Sequence, residues 1–307
     1  MSTQIFMVGI WKAFQISYSK ETSWRLSFLV PAAIVLLVAL GQLFLADDCP
    51  KGNYKELEAH GAMIRKSSAV SFKKVLVQFV VRNSLKIVSD ARAAGTHRST
   101  PLKDSRLPGW GCANLNSWLL FLQYAACFGV ELTVNNTAAN YFSDEFDLST
   151  SKAGLVASLF GLMNVFARSL GGIYSGERRR MPGVTGMRGR FLAQWTALLW
   201  EGCFLFLFTY MTSLSAAIPV LLCFSLGVQM AEGTSYGIVP YVVPDATGAV
   251  SGIVGAGGNF GAVMWGIIFR FGPSSERSVF RIIAACVVGL SCLTPLIKIR
   301  GYATVFT

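Results

Sequence analysis

Arg168 sits deep inside an apolar run, Ala153 to Ser175, too far from either end for its side chain to reach polar flanks. An arginine at the centre of a bilayer costs about 2.5–3.5 kcal/mol on insertion scales, so such a position needs a partner or a purpose. Gly161, Asn164, Arg168, Gly172 and Ser175 recur at helical steps and share one face, small and polar with a single cation. Two uses fit that face. The arginine can pair with a carboxylate on a neighbouring helix, for which Glu131, Glu201 and Glu232 are candidates. Alternatively it binds a small anion, because its planar guanidinium holds several N–H donors in fixed directions and stays charged. Ionisable residues at bilayer depth are functional by default, which favours the ligand. The same three glutamates are candidate proton-coupling groups or ion-pair partners, since a carboxyl in a low dielectric can keep a proton.

Tyr124, Phe128, Glu131 and Asn135 form a second face in which aromatic and polar groups alternate, as expected for the lining of a cavity. The run from Gly252 to Gly261 holds Gly255, Gly257, Gly258, Asn259 and Gly261. Glycine inside a helix costs roughly 1 kcal/mol against alanine, so this density needs compensation. Close helix packing through the Gly257–Gly261 pair is one source. Approach of bare backbone to a ligand, with Asn259 as an amide donor, is the other.

Other chemistry lacks its residues. No Walker A loop, catalytic triad or metal-ligand cluster is present, so an enzyme, a cofactor and a metal site are not expected. His60 and His97 lie in one polar stretch, and the cysteines show no zinc spacing. Cys127, Cys203, Cys223, Cys286 and Cys292 fall in apolar runs, where a thiol acts as a small hydrophobe.

The elements that must carry these faces are membrane spans. Of 307 residues, 53% are hydrophobic and 14% charged, against roughly 25% charged in soluble domains. A spanning helix needs about 20 mostly apolar residues. Seven runs qualify: Trp24–Leu45, Asn116–Val134, Ala153–Ser175, Phe191–Met211, Ser215–Val239, Ala249–Phe271 and Val279–Ile299. Gln4–Ile16 is apolar but short, a partial helix without the flanks of a signal peptide. The expected fold is all-α, a polytopic membrane helix bundle of about seven full spans plus a partial one. Its expected parts are residues 1–45 as the remnant of an N-terminal bundle, 46–115 as a central loop and 116–307 as a C-terminal six-helix bundle.

Orientation follows from charge. The loop after Ser175 carries Arg178, Arg179, Arg180, Arg188 and Arg190, whereas residues 141–152 carry Asp144, Glu145 and Asp147. Basic short loops face the cytoplasm, so the first is inside and the second outside. The central stretch then lies inside with its twelve lysines and arginines from Lys51 to Arg106. The net charge of +11 is therefore topology and attraction to anionic membrane lipids, and no nucleic-acid partner is expected. Phe72, Val75, Leu76, Phe79 and Val80 beside Lys73, Lys74, Arg82 and Lys86 predict an amphipathic helix on the cytoplasmic membrane surface. Residues 89–108 read as a linker. Asn135-Asn-Thr137 matches a glycosylation sequon, but a position near a helix end argues against its use.

Phe166-Ala-Arg-Ser-Leu-Gly-Gly172, Gly255-Ala-Gly-Gly-Asn-Phe-Gly261 and Glu232-Gly-Thr-Ser-Tyr-Gly-Ile-Val-Pro240 together resemble the nitrate/nitrite porters of the major facilitator superfamily, most of all the high-affinity nitrate transporters of algae and plants. Trp24-Arg-Leu-Ser-Phe28 and Gly186-Met-Arg-Gly-Arg190 fit the same group. The resemblance implies two six-helix halves with the substrate at the midplane between them. It aligns this chain with helices five (in part) to twelve, without the first four helices and the first glycine-rich signature. It implies that Arg168 is the nitrate-binding arginine of the C-terminal half, that Tyr124 and Phe128 line its pocket, and that Gly255 to Gly261 form the second nitrate signature. An aspartate expected after the arginine-bearing helix is replaced by Ser175-Gly176-Glu177.

The function implied is secondary active transport of nitrate, with nitrite as a second substrate, by alternating access and coupled to protons. Its setting is a multi-pass protein of the plasma membrane, and the family allows for a small accessory membrane protein as partner. Two other readings stand beside it: a membrane protein that binds an anion without moving it, and an inactive fragment of a transporter.

Overall fold

Proline and glycine set where the helices break and how closely they approach. The computed structural model describes residues 2–45, 114–178, 186–299 and 301–305. These fall into two compact units, one N-terminal and one beginning before Asn114 and running to the C-terminus. All regular structure among the described residues is helical. The predicted amphipathic helix at 72–86, the linker at 89–108 and both histidines lie outside the described residues.

The N-terminal unit holds α1 (Ser2–Gln15), α2 (Lys20–Ser27) and α3 (Leu29–Leu45). The apolar run expected as one helix from Trp24 is interrupted at Phe28. Pro31 has no N–H to donate to the carbonyl four residues back, at Ser27, so the ladder stops there. The short partial helix expected at Gln4–Ile16 is α1.

The second unit begins with α4 (Leu115–Phe146), which the side chain of Asn114 caps through the Asn116 N–H at 2.9 Å. It continues twelve residues beyond the expected end at Val134, and Asp147 closes it in the left-handed conformation at φ 49°. Polar side chains around Val134 are accommodated within the helix by bonding its own backbone. Thr133 donates to Gly129, Asn135 to Glu131 and Thr137 to Thr133, each onto a backbone carbonyl one turn back. Asn135 therefore sits within the helix, as expected for the sequon.

The single span expected over Ala153–Ser175 is one 28-residue membrane-capable segment, Thr150–Glu177, in which a one-residue irregularity at Met163, itself in right-handed helical conformation, separates α5 (Thr150–Leu162) from α6 (Asn164–Arg178). After these come α7 (Met187–Phe208), α8 (Leu214–Val242), α9 (Thr247–Phe271) and α10 (Glu276–Ser291). The last is shorter than the expected Val279–Ile299 because Pro295 cannot continue it. The Thr294 hydroxyl bonds the Ser291 carbonyl at 2.8 Å, where a helical N–H would have been. Among the described residues seven segments are long and apolar enough to cross a membrane, the number expected. Six of them make up the second unit.

Its core is built on α4, α8 and α7. Tyr141, Phe142, Phe208 and Phe280 interlock at one end with ring centroids 5.3–5.9 Å apart for the pairs involving Tyr141 or Phe142 with Phe208 and Phe280. At the other end the side chain of Asn116 holds the backbone of Lys298 from both sides, at 2.9 and 3.0 Å. On the face between them, α4 meets α9 along a glycine seam. Gly257 lies on the Phe121 carbonyl, Gly261 on the backbone of Ala125, and a Cβ at Gly129 would stand 2.8 Å from Gly261. The Trp265 indole N–H bonds the Ala125 carbonyl at 3.0 Å and locks the register.

Candidate functional site

Three helices, α4, α6 and α8, converge at Arg168. From α6 its Nη2 donates to Glu131 Oε2 on α4 at 3.0 Å, to Glu232 Oε2 on α8, and to Gln229 Oε1 on α8 at 3.4 Å. Asn164, one turn before Arg168, donates to Glu131 Oε1 at 3.0 Å. The break at Met163 separates Asn164 from the helix before it, and both residues of the predicted polar face reach the same carboxylate. Glu131 and Glu232 are buried, while the Arg168 side chain keeps 40% of its surface exposed. The guanidinium is thus anchored through Nη2 and buried at Nε, while the side chain as a whole stays part-exposed.

Glycines outside the predicted signature make this convergence sterically feasible. Gly233 lies directly on the Arg168 backbone carbonyl and Gly171 on the backbone of Met230, so α6 and α8 cross at backbone contact. That crossing brings Glu232 to Arg168.

The aromatic residues complete a wall. The Phe128 ring lies 5.9 Å from the guanidinium carbon. Tyr124 stacks on Phe128 at 5.3 Å and meets Tyr236 edge-on at 5.4 Å. Tyr236 is exposed, and its hydroxyl stands 3.4 Å from where a Cβ on Gly255 would be. On α9, Gly258 leaves the room that the Phe128 ring fills. Gly257 and Gly261 belong to the seam with α4. Asn259 is exposed one turn beyond Gly255, on the same side of α9.

Of the sequence candidates, the structure brings Arg168, Glu131, Glu232, Phe128 and Tyr124 into one cluster, with Gly255 at its edge. Glu201, on α7, is fully buried, and neither of its carboxyl oxygens has a hydrogen-bond partner among the described residues. Arg168 does not reach it. Gln229 and Tyr236 escaped the sequence reading. The spacing Gln229, Glu232, Gly233, Tyr236 was the available signal, a polar face at helical steps around a glutamate already noted.

Further along α6 lies Ser175-Gly176-Glu177, the stretch where an aspartate was expected and Glu177 is its candidate stand-in. Arg190 Nη1 lies 3.5 Å from the Ser175 hydroxyl and donates to the Gly237 carbonyl at 2.8 Å, with the Tyr241 ring at 5.2 Å.

Residues 11–266 match the Major Facilitator Superfamily. The chain belongs to this family. Named relatives uphold the likeness to nitrate porters within the superfamily. The chain is 33% identical to high affinity nitrate transporter 2.5 of Arabidopsis thaliana over 296 residues, 96% of this chain and 51% of that protein. It is 32% identical to high-affinity nitrate transporter 2.3 of Oryza sativa subsp. japonica over 273 residues, 88% of this chain and 45% of the relative. Nitrate transporter 2.1 of Chlamydomonas reinhardtii is 35% identical over 254 residues, 82% of this chain and 40% of its own length. The chain therefore spans about half the length of the relatives it matches, or less. In this major facilitator chain the buried cluster lies among α4, α6 and α8, with α9 alongside, and its open side is the exposed flank of Arg168 and Tyr236.

Proposed function

We propose that this chain forms the anion-binding part of a secondary transporter for nitrate, with nitrite as a second substrate. The observation that carries this reading is the half-open guanidinium of Arg168. One nitrogen is fixed by Glu131, Glu232 and Gln229, and an aromatic face stands beside it. An oxyanion approaches the exposed part of the guanidinium, away from the buried Nε, while Phe128 and Tyr124 exclude water from its flank. Tyr236, Gly255 and Asn259 border the same site. Glycine seams between α4 and α9 and between α6 and α8 are smooth enough to permit a second packing, as alternating access requires.

Coupling to protons is supported by charge. Glu131, Glu232 and Glu201 set three buried carboxyls against one guanidinium, and a dry interior does not hold such an excess of negative charge. The setting that goes with this function is the plasma membrane, with anionic lipids against the basic cytoplasmic loops and a small accessory membrane protein as a partner. Residues 1–45 then belong to an N-terminal bundle, 46–115 to a cytoplasmic connection and 116–307 to the C-terminal bundle.

The test is uptake of [15N]nitrate by the chain reconstituted in liposomes with an inward proton gradient. Accumulation that nitrite suppresses and sulfate does not is the expected result. Equilibrium nitrate binding without flux would instead favour a binding protein, and neither binding nor flux would overturn the anion-site reading.

A further inference from the structure

We propose that Glu232 is an internal stand-in for the transported anion, holding the Arg168 guanidinium in the empty site, yielding it to the incoming oxyanion, and taking up one proton as it does so. This rests on the anion-site reading above and assigns its coupling group.

The two carboxylates that share Arg168 are not equivalent. Glu131 has both oxygens occupied, Oε1 by Asn164 and Oε2 by Arg168, each at 3.0 Å. Two donors from one helix hold it in place, so it is a fixed counter-ion. Glu232 bonds the same Arg168 nitrogen through Oε2 and lies against the Glu131 carboxyl, and among the described residues no donor besides Arg168 fixes it. Its Oε1 is buried without a hydrogen-bond partner among the described residues. The neighbouring Gln229 also has an unpartnered buried Nε2. A carboxylate with one oxygen idle and an amide with its donor idle describe a site whose polar groups are not all in their final arrangement.

The charge state of Glu232 depends on the groups that face it. From α4 come Glu131, Tyr124 and Cys127, from α6 Arg168 and from α7 Glu201. Its own helix adds Gln229 and Tyr236, and α9 has no titratable residue before Arg270. Arg168 is the sole cation in this set. Once an oxyanion takes the guanidinium, Glu232 is a buried carboxylate among two other acids with no positive partner. Such a group neutralises by binding a proton. No covalent bond other than the new O–H forms. One negative charge and one positive charge enter together, and the net charge of the site is unchanged. By reciprocity, the proton then strengthens anion binding as much as the anion strengthens proton binding.

The experiment adds nitrate to the 307-residue chain in detergent, weakly buffered with an indicator dye, and counts protons taken up per anion bound. About one proton per nitrate is expected, with affinity falling about tenfold for each unit of rising pH where that proton is exchanged. In Glu232→Gln, which cannot exchange the proton, binding is expected without uptake and with an affinity that no longer follows pH. Nitrate binding by the wild type with no proton taken up overturns the inference without need of a variant. So does an unchanged proton count in Glu232→Gln, or its loss in Glu201→Gln while Glu232→Gln still takes one up; these outcomes leave the anion site standing. Absence of nitrate binding by the wild type overturns the anion site itself and this inference with it.

Discussion

At the scale of single residues, position in the apolar run identified Arg168 and helical spacing identified Tyr124 and Phe128, because both signals are local. The partners of Arg168 were narrowed to three glutamates and no further. Which two it reaches depends on how α4, α7 and α8 cross, and a linear pattern does not contain that. The pairing of Arg168 with Glu131 and Glu232 shows that the two uses weighed for this arginine are not exclusive: it ties three helices together and still exposes 40% of its side chain. Arg168→Lys tests which part matters. A lysine keeps the charge but loses the planar fork, so with Glu131 held it offers an oxyanion no pair of fixed, parallel donors. Nitrate uptake by the reconstituted variant is expected to fall to background while its melting temperature in detergent stays near that of the wild type. Arg168→Ala differs, because it strands Glu131 and Glu232 without a cation. A buried pair broken this way loses about 3–5 kcal/mol, and the partial exposure of Arg168 reduces the expected loss to about 1–3 kcal/mol. It is read from the melting temperature; a Lys variant as unstable as the Ala variant would assign Arg168 a purely structural role.

At the scale of elements, glycine spacing had two explanations in the sequence, and the structure divides them by position. Gly257 and Gly261 serve the seam with α4, Gly258 makes room for Phe128, and Gly255 faces the Tyr236 hydroxyl. The glycines that set the α6–α8 crossing, Gly171 and Gly233, were not singled out as packing residues, since each matters only through the helix it faces. Helix ends show the same limit. The breaks at Phe28 and Met163 and the extension of α4 to Phe146 depend on individual backbone hydrogen bonds, which apolar run length does not report. Two substitutions separate packing from function. In Gly257→Leu the new side chain runs into the Phe121 carbonyl, so α4 and α9 must part; overpacking of this kind costs about 1–3 kcal/mol and is expected as a lower melting temperature and lower folded yield. Gly233→Ala instead forces α8 off the backbone carbonyl of Arg168 and displaces the residue that carries the guanidinium. Its expected signature is loss of nitrate binding exceeding its loss of stability, checked by titration and thermal unfolding of the same preparation.

At the scale of the whole molecule, the number and kind of spans were legible because hydrocarbon imposes length and composition together, and seven apolar segments are what the described residues contain. What composition cannot supply is the side of the membrane on which each connection lies; that came from charge, and it is open to direct test. With residues 178–190 inside, alternation of the spans places the turns at 209–213 and 272–275 outside and the turn at 243–246 inside. In a variant with all seven cysteines replaced, Thr212→Cys and Ser274→Cys are expected to react with a membrane-impermeant maleimide added to intact cells. Thr247→Cys is expected to react only after permeabilisation. The α5–α6 segment gives the sharpest test of the count, because it carries Arg168 across the interruption at Met163. A crossing requires Ser149→Cys to label from outside and Gly186→Cys from inside. If both label from one side, α5 and α6 do not span, the arginine-rich loop is not the cytoplasmic anchor, and Arg168 is no longer at bilayer depth. The physical reason for assigning it an anion would go with that result, whatever the side chains around it.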